Sequence, residues 1–244
     1  MSIQIERKKR IPTLLTLPVL ALLLIAAAAE AQSFGFLDNP EQLQPTPEWG
    51  FDSMYVVPDA FQRMADYDAV MIEQPEIFLH PESKYQGIKP DAWKLLADSF
   101  REAQIAELEG AYRIVDEPGA GVLYIRYALG NVMLKRKWSK NPLNYTPAGA
   151  AKTVVKRKLS DDITKKTSLA ELTIELEVLD SVTGERLVAG IDTRKKGTEP
   201  TSWEALEEYM HVTGRILRCR LDNARRPREQ WEDCVEKMTD LNGN

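Results

Sequence analysis

Few residues of this sequence combine a type and a spacing that could do chemistry. The two cysteines, Cys219 and Cys234, and the two histidines, His80 and His211, are too few and too scattered for a zinc site. Neither cysteine sits in a CxxC pair, and no HExxH or HxH spacing occurs, so no metal is expected. His80 precedes Pro81 and reads as a loop residue, while His211 lies beside Met210 in a predicted helix. Gly119-Ala120-Gly121 resembles part of a nucleotide-binding turn. A predicted strand follows it where a dinucleotide site would open a helix, and the third glycine is missing, so a tight turn is expected. There is no GxSxG elbow and no Walker motif. Adjacent carboxylates such as Asp116-Glu117 and Asp161-Asp162 arise by chance among 37 acids. No catalytic residue and no cofactor are assigned, and the chain is expected not to be an enzyme.

Two constellations remain. Residues 135–166 hold ten Lys or Arg against two Asp. Lys135, Arg136, Lys137, Lys156, Arg157 and Lys158, interleaved with Trp138 and Tyr145, are candidates for contact with an anionic surface, either lipid headgroups or an acidic partner protein. The ordinary reading is a solvated loop. Cys219 and Cys234 are candidates for a disulfide joining the second predicted helix to the third. A closed loop of that length is worth about 3 kcal/mol in the chain-entropy account. The alternative is two separate free thiols.

The elements that position these residues follow from composition and periodicity. The chain has 244 residues, 43% hydrophobic and 28% charged, which excludes wholesale disorder. A net charge of -5 argues against a dedicated nucleic-acid binder. Residues 1–31 have the order of a secretory signal: Arg7 to Arg10, an apolar run from Leu14 to Ala29, then Ala29-Glu30-Ala31. Cleavage is expected between Ala31 and Gln32, giving a periplasmic or secreted protein. The alternative is an uncleaved inner-membrane anchor, for which the run is short and broken by Pro18. The remaining chain has 28 basic and 35 acidic residues, so the basic stretch sits on a strongly acidic body.

Residues 32–66 read as an extended arm, rich in Pro, Gly, Asn and Gln in its first half, and residues 67–244 as one domain. Strands are expected at 67–73, 112–115, 122–129, 171–178 and around 187–191, with Ile77 to Leu79 as a resumption after Pro75. In 171–178 Leu172, Ile174, Leu176 and Val178 alternate with Glu171, Thr173, Glu175 and Glu177. That pattern demands one buried face and one face that is wet or covered by polar-rimmed elements. Asp180 to Gly184 turns the chain. Helices are expected over 90–111, where Gln104 interrupts the apolar stripe, and over 202–221 with Ser202 as N-cap. A short third helix is expected from Pro227 to about Met238.

Several of these segments match one another's order in a known family. Gly35-Phe36-Leu37, Val70-Met71-Ile72, Leu96-Ala97-Asp98-Ser99-Phe100, Val115-Asp116-Glu117-Pro118-Gly119, Glu175 through Ser181 and Thr183-Gly184-Glu185-Arg186-Leu187 resemble the DUF3313 family of bacterial envelope proteins. The resemblance implies an envelope protein of unknown role, mostly a lipoprotein in its relatives. It brings no catalytic residues. This chain has no cysteine before Cys219 to accept a lipid.

The expected fold is α+β: an antiparallel or mixed sheet of about four to five strands, packed on one face by two main helices, plus a short C-terminal helix. The expected function is binding of an unknown envelope protein or an anionic lipid surface, with no nucleic-acid partner. The alternatives are a carboxylate-based hydrolase of an envelope polymer and a small-ligand carrier. Protein recovered from the envelope is expected to begin at Gln32, which intact-mass spectrometry reads directly. A full-length chain held in the inner membrane is the outcome an uncleaved anchor requires.

Overall fold

A computed structural model describes residues 33–46, 49–79, 90–136, 167–194 and 203–236. The chain divides into two compact units, Met1–Glu30 and Ala31–Asn244, and every described residue belongs to the second. The expected signal segment therefore lies outside the described residues. Among the described residues no helix is long and apolar enough to cross a membrane.

The strands are β1 (Gln44–Pro45), β2 (Ser53–Val56), β3 (Ala69–Ile72), β4 (Glu76–Leu79), β5 (Arg113–Ile114), β6 (Val122–Arg136), β7 (Thr167–Asp180) and β8 (Arg186–Arg194). They form one sheet in the order β1-β2-β8-β7-β6-β3-β5, with β4 also pairing β6. The α+β class holds, but the expected four to five strands are corrected to eight. The three additional strands have physical reasons to be hard to read. β1 has two residues and β2 four, too short to show an alternation, and both lie in the segment expected as an extended arm. β4 is the continuation beyond Pro75: β3 pairs with residues 122–125 of β6 and β4 with residues 128–132, both in parallel. Proline cannot donate to the ladder, so one edge is split into two strands. The pairings of β6, β7, β8 and β2 with one another are antiparallel, so the sheet is mixed.

Two long helices, α2 (Pro90–Leu108) and α3 (Trp203–Ala224), pack on one face; a short α1 (Ala60–Met64) lies between β2 and β3 in sequence. Leu123, Ile125, Tyr127 and Leu129 of β6 and Leu172, Ile174, Leu176 and Val178 of β7 share the core with Phe100, Leu108, Met210 and Leu217. α2 and α3 approach closely at Gly214, where an added Cβ would lie 3.0 Å from Glu107 Cγ. Gln104 does not weaken the α2 stripe. It is fully buried, donates to the Met210 carbonyl at 2.8 Å and accepts the Tyr127 hydroxyl at 3.0 Å. A polar side chain joins both helices to the sheet by satisfying groups that burial would otherwise strand. In place of the expected helix from Pro227 stand a single 3-10 turn, Arg228–Gln230, three residues without regular structure and a turn, with helical structure only at Glu236, the last described residue.

The opposite face of the sheet is covered, not wet. Thr173 and Glu175 are fully buried and Glu177 nearly so. The chain at 34–38 lies across them. Glu175 accepts the backbone amides of Phe34 (3.0 Å) and Leu37 (3.2 Å). Glu177 pairs with Arg126 at 2.9 Å and Arg186 at 2.5 Å, and Arg186 also donates to the Asp38 carbonyl. Phe36 stacks under the Arg126 guanidinium, and Phe34 packs on Gly130, where a Cβ would overlap its ring. Phe36, Leu37, Ala128, Ala189 and Ile191 make a second small core. Burial pushes the Glu175 carboxyl above its ordinary range, against the hydrogen bonds that favour its charge. Glu175→Ala is expected to cost on the order of 2 kcal/mol, since it removes two charge-assisted bonds yet relieves a desolvated charge. Denaturant unfolding measures the loss, and amide exchange at Phe34 and Leu37 should quicken far more than in α2.

Candidate functional site

The β6–β7 hairpin pairs from Leu123 opposite Asp180 out to Arg136 opposite Thr167, with the register interrupted between Gly130 and Leu134. Lys135 and Arg136 are its last backbone pairs on β6, facing Ser168 and Thr167. Lys137, Lys156, Arg157 and Lys158 lie outside the described residues. In the chain they stand between the two distal strand ends, so the basic stretch is what the hairpin connects.

At the near end the turn after β7 is over-determined. Asp180 accepts the amides of Val182 (3.0 Å) and Thr183 (2.7 Å), and its other oxygen takes the Tyr67 hydroxyl at 2.6 Å. Those bonds, the Tyr67 hydroxyl foremost, hold the Asp180 carboxyl down at about 2. Burial, with the same hydrogen bond, pushes the Tyr67 phenol up to about 12. Gly184 supplies the left-handed residue with φ +71°. The Gly119-Ala120-Gly121 segment is a turn between β5 and β6: Val122 N bonds Gly119 O, and Ser181 clamps both the amide and carbonyl of Gly119. Asp116 and Glu117 are beside this turn. Asp161 and Asp162 lie outside the described residues.

The carboxyl end of α3 builds the most distinctive cavity. Cys219 and Cys234 are bonded, with their Cα atoms 5.7 Å apart. The Asn223 amide donates to the Glu232 carbonyl at 2.9 Å and accepts the Glu232 amide at 3.0 Å, so residues 231–233 lie beside α3 without forming helix. This double clamp and the disulfide replace the helix expected there. Asp233 caps the Val235 and Glu236 amides, and Glu232 pairs with Arg226 at 2.6 Å. Trp231 donates from its indole to the Arg226 carbonyl. Its ring packs on Phe61 at 4.7 Å, and Phe61 packs on Trp49 at 5.6 Å. Together they enclose a cavity of about 270 Å³, with Arg220 and Arg228 as its cations.

Arg220 is the unusual member. Its guanidinium stacks over Phe51 at 5.1 Å, and its Nη2 is buried with no hydrogen-bond partner. A buried donor left unsatisfied costs on the order of 1–3 kcal/mol. Burial pulls its pKa down to about 10, so it remains a cation at neutral pH. No feature of Arg220 marks it in the sequence. It is one more basic residue on an amphipathic helix, and only the fold places it against two cavities. The second, about 50 Å³ between α3 and the sheet, is lined mainly by apolar side chains and is far below the usual size of a small-molecule pocket.

The remaining candidates are tied into helix-surface contacts. His211 Nδ1 meets Glu107 at 2.7 Å, and Arg215 pairs with Glu208 at 2.5 Å. His211 and Glu208 border an open groove of about 510 Å³ between α2 and α3 that also carries Glu102, Glu204 and Glu207. Among the described residues no group of three His, Cys, Asp or Glu could hold a metal ion. His80 lies outside them. Reducing the disulfide is expected to lower the unfolding free energy by about 3 kcal/mol, given a loop of this length. Urea titration with and without reductant checks this, and Trp231 should then become more accessible to quenchers while α2 stays folded.

Solved structures with a similar outline are remote. The PelC dodecamer from Paraburkholderia phytofirmans is 13% identical, with 69% of this chain and 94% of that one covered at a TM-score of 0.34. A variant of the same protein in another crystal form gives 12%, 64%, 90% and 0.33. A putative neuraminyllactose-binding hemagglutinin homolog from Helicobacter pylori is 9% identical over 73% of this chain and 90% of that one, at 0.28. At these scores the likeness says nothing of shared ligand or assembly. No curated protein matches. Residues 32–215 match the family described as protein of unknown function DUF3313, which covers the arm, the whole sheet and half of α3. The chain belongs to the DUF3313 family.

Proposed function

We propose that this chain is an exported, non-enzymatic protein of the cell envelope that acts by binding, and that its β6–β7 hairpin presents the basic stretch to an anionic phospholipid surface. The observation that carries this reading is the reach of the hairpin. Its ladder continues to Arg136 opposite Thr167, so all of residues 137–166 are carried between its distal ends. Charges gathered on one connection act on a surface together, each contributing about 1 kcal/mol near anionic headgroups. The non-enzymatic reading draws support from three carboxylates of β7, the buried Glu175 and Glu177 and the half-buried Asp180. Glu175, Glu177 and Asp180 are each engaged by backbone amides, arginines or a phenol in roles that hold the fold.

Vesicles containing phosphatidylglycerol test the proposal with the protein from Gln32 onward. Binding is expected at low salt and should weaken as salt screens the charges. Replacing Lys156, Arg157 and Lys158 by Ser should weaken binding about 100-fold, the equivalent of three such contacts. Unchanged binding in that triple variant, or equal binding to neutral vesicles, overturns it. Capture of an acidic protein instead of vesicles would assign the stretch to a protein partner and equally overturn the lipid reading.

A further inference from the structure

The two ends of the sheet carry opposite charge, and we propose that the end where β4, β6 and β8 finish faces the anionic phospholipid surface, with Leu79 entering the headgroup layer as an apolar anchor. This rests on the lipid reading of the hairpin. It adds an orientation and an anchoring residue that lies outside the basic stretch.

The register fixes which segments share an end. β4 runs parallel to β6, and β7 runs antiparallel to both β6 and β8, so β4, β6 and β8 all finish on the same side. In the chain, residues 80–89, 137–166 and 195–202 follow Leu79, Arg136 and Arg194. Each of these segments has a basic excess, and together they hold twelve Lys or Arg against four Asp or Glu. The opposite end has the reverse balance. Residues 57–68, 115–121 and 181–185 hold six Asp or Glu against one basic residue, Arg63, which is paired with Glu185. A molecule with one basic and one acidic end is turned by an anionic surface, basic end first.

The same end is shaped for the contact. Pairing of β6 with β4 stops at Val132, and pairing of β7 with β8 stops at Leu172. The β6–β7 ladder continues past both, through Leu134 opposite Leu169 to Arg136 opposite Thr167. Among the described residues the hairpin therefore projects beyond its neighbours, and Leu79 stands at its foot, paired with Val132.

Leu79 is 41% exposed, and the other exposed large hydrophobic side chain among the described residues is Val182 at 64%. Val182 lies in the acidic turn between β7 and β8, at the opposite end. The residues before Leu79 on β4 are used by the fold: Ile77 packs on the main core, and Phe78 on the second, with its ring 4.9 Å from that of Phe34. Leu79 belongs to neither core. A single exposed leucine is ordinary on a protein surface. Beside a projecting basic ribbon it gains a use, because charge draws a protein to headgroups and an apolar group entering the interface fixes its depth and orientation.

Phosphatidylglycerol vesicles at low salt test this with the protein from Gln32 onward, its disulfide intact. An environment-sensitive fluorophore on Leu79→Cys should shift to the blue on vesicle addition and be quenched by nitroxide-bearing lipid. The same label on Val182→Cys should do neither. Leu79→Ser should weaken vesicle binding about fivefold and Val182→Ser leave it unchanged, with melting temperature as the control for folding. If the wild-type chain binds but the label at 79 does not respond, the anchor is overturned and the hairpin reading stands. An equal response at 182 overturns the orientation. If the label at 79 responds while replacing Lys156, Arg157 and Lys158 by Ser changes nothing, the anchor stands and the basic stretch falls. Absence of any vesicle binding overturns both.

Discussion

Two carboxylates on one strand, Glu175 and Glu177, are buried on the side of the sheet away from the helices, and the architecture is arranged around satisfying them. A carboxylate removed from water without partners would shift its pKa or unfold the sheet around it. Glu177 is satisfied by Arg126 and Arg186 from the two flanking strands. Glu175 is satisfied by backbone amides from a segment nearly 140 residues earlier. The arm is thus the missing half of a polar network, and its aromatic side chains close the face only because its amides are wanted beneath them. Removing one partner of a buried ion pair such as that of Glu177 with Arg126 and Arg186 costs on the order of 3–5 kcal/mol, a large fraction of a domain's stability.

With both faces of the sheet covered, the features available for recognition lie at its margins. One is the distal end of the β6–β7 hairpin. The other is the carboxyl end of α3, where the disulfide and Asn223 hold a non-helical segment against the helix. The two differ in kind. The hairpin connection, residues 137–166, carries eight basic and two acidic residues in sequence. At the carboxyl end of α3, Arg220 stacks on Phe51, and Trp49, Phe61 and Trp231 form an aromatic row beside it.

Much of this was legible in the sequence where periodicity is strong. β6, β7 and β8, α2 and α3, and the Asp180–Gly184 turn follow from alternation, helical stripes and turn residues. The Glu-rich side of β7 read as polar, and the pattern left open whether water or another segment would meet it; a long-range partner such as the arm leaves no local signal. β1 and β2 were invisible for the opposite reason: they are too short to carry a period, while β4 was read only as a resumption of the strand before Pro75. The segment after Pro227 has a helix-start residue, yet the Asn223 clamp and the disulfide override that local preference. Compartment and even count pointed to the cysteine pair. Nothing pointed to Arg220, because its singular character is the absence of a partner, and that is a property of the folded neighbourhood alone.

The pairing of the arm with β7 also constrains how the molecule is made. Synthesis delivers residues 34–37 long before Glu175 exists, since 141 and 138 positions separate the partners. Until β6, β7 and β8 have come together, Phe34, Phe36 and Leu37 have no surface to lie on. The first part of this unit to emerge is among the last to find its place, and the closing step joins segments well over a hundred positions apart. Such late, non-local closure is slow and leaves apolar side chains uncovered in the interval. A nascent chain of this design needs something to shield its leading residues, or needs its three central strands to assemble quickly.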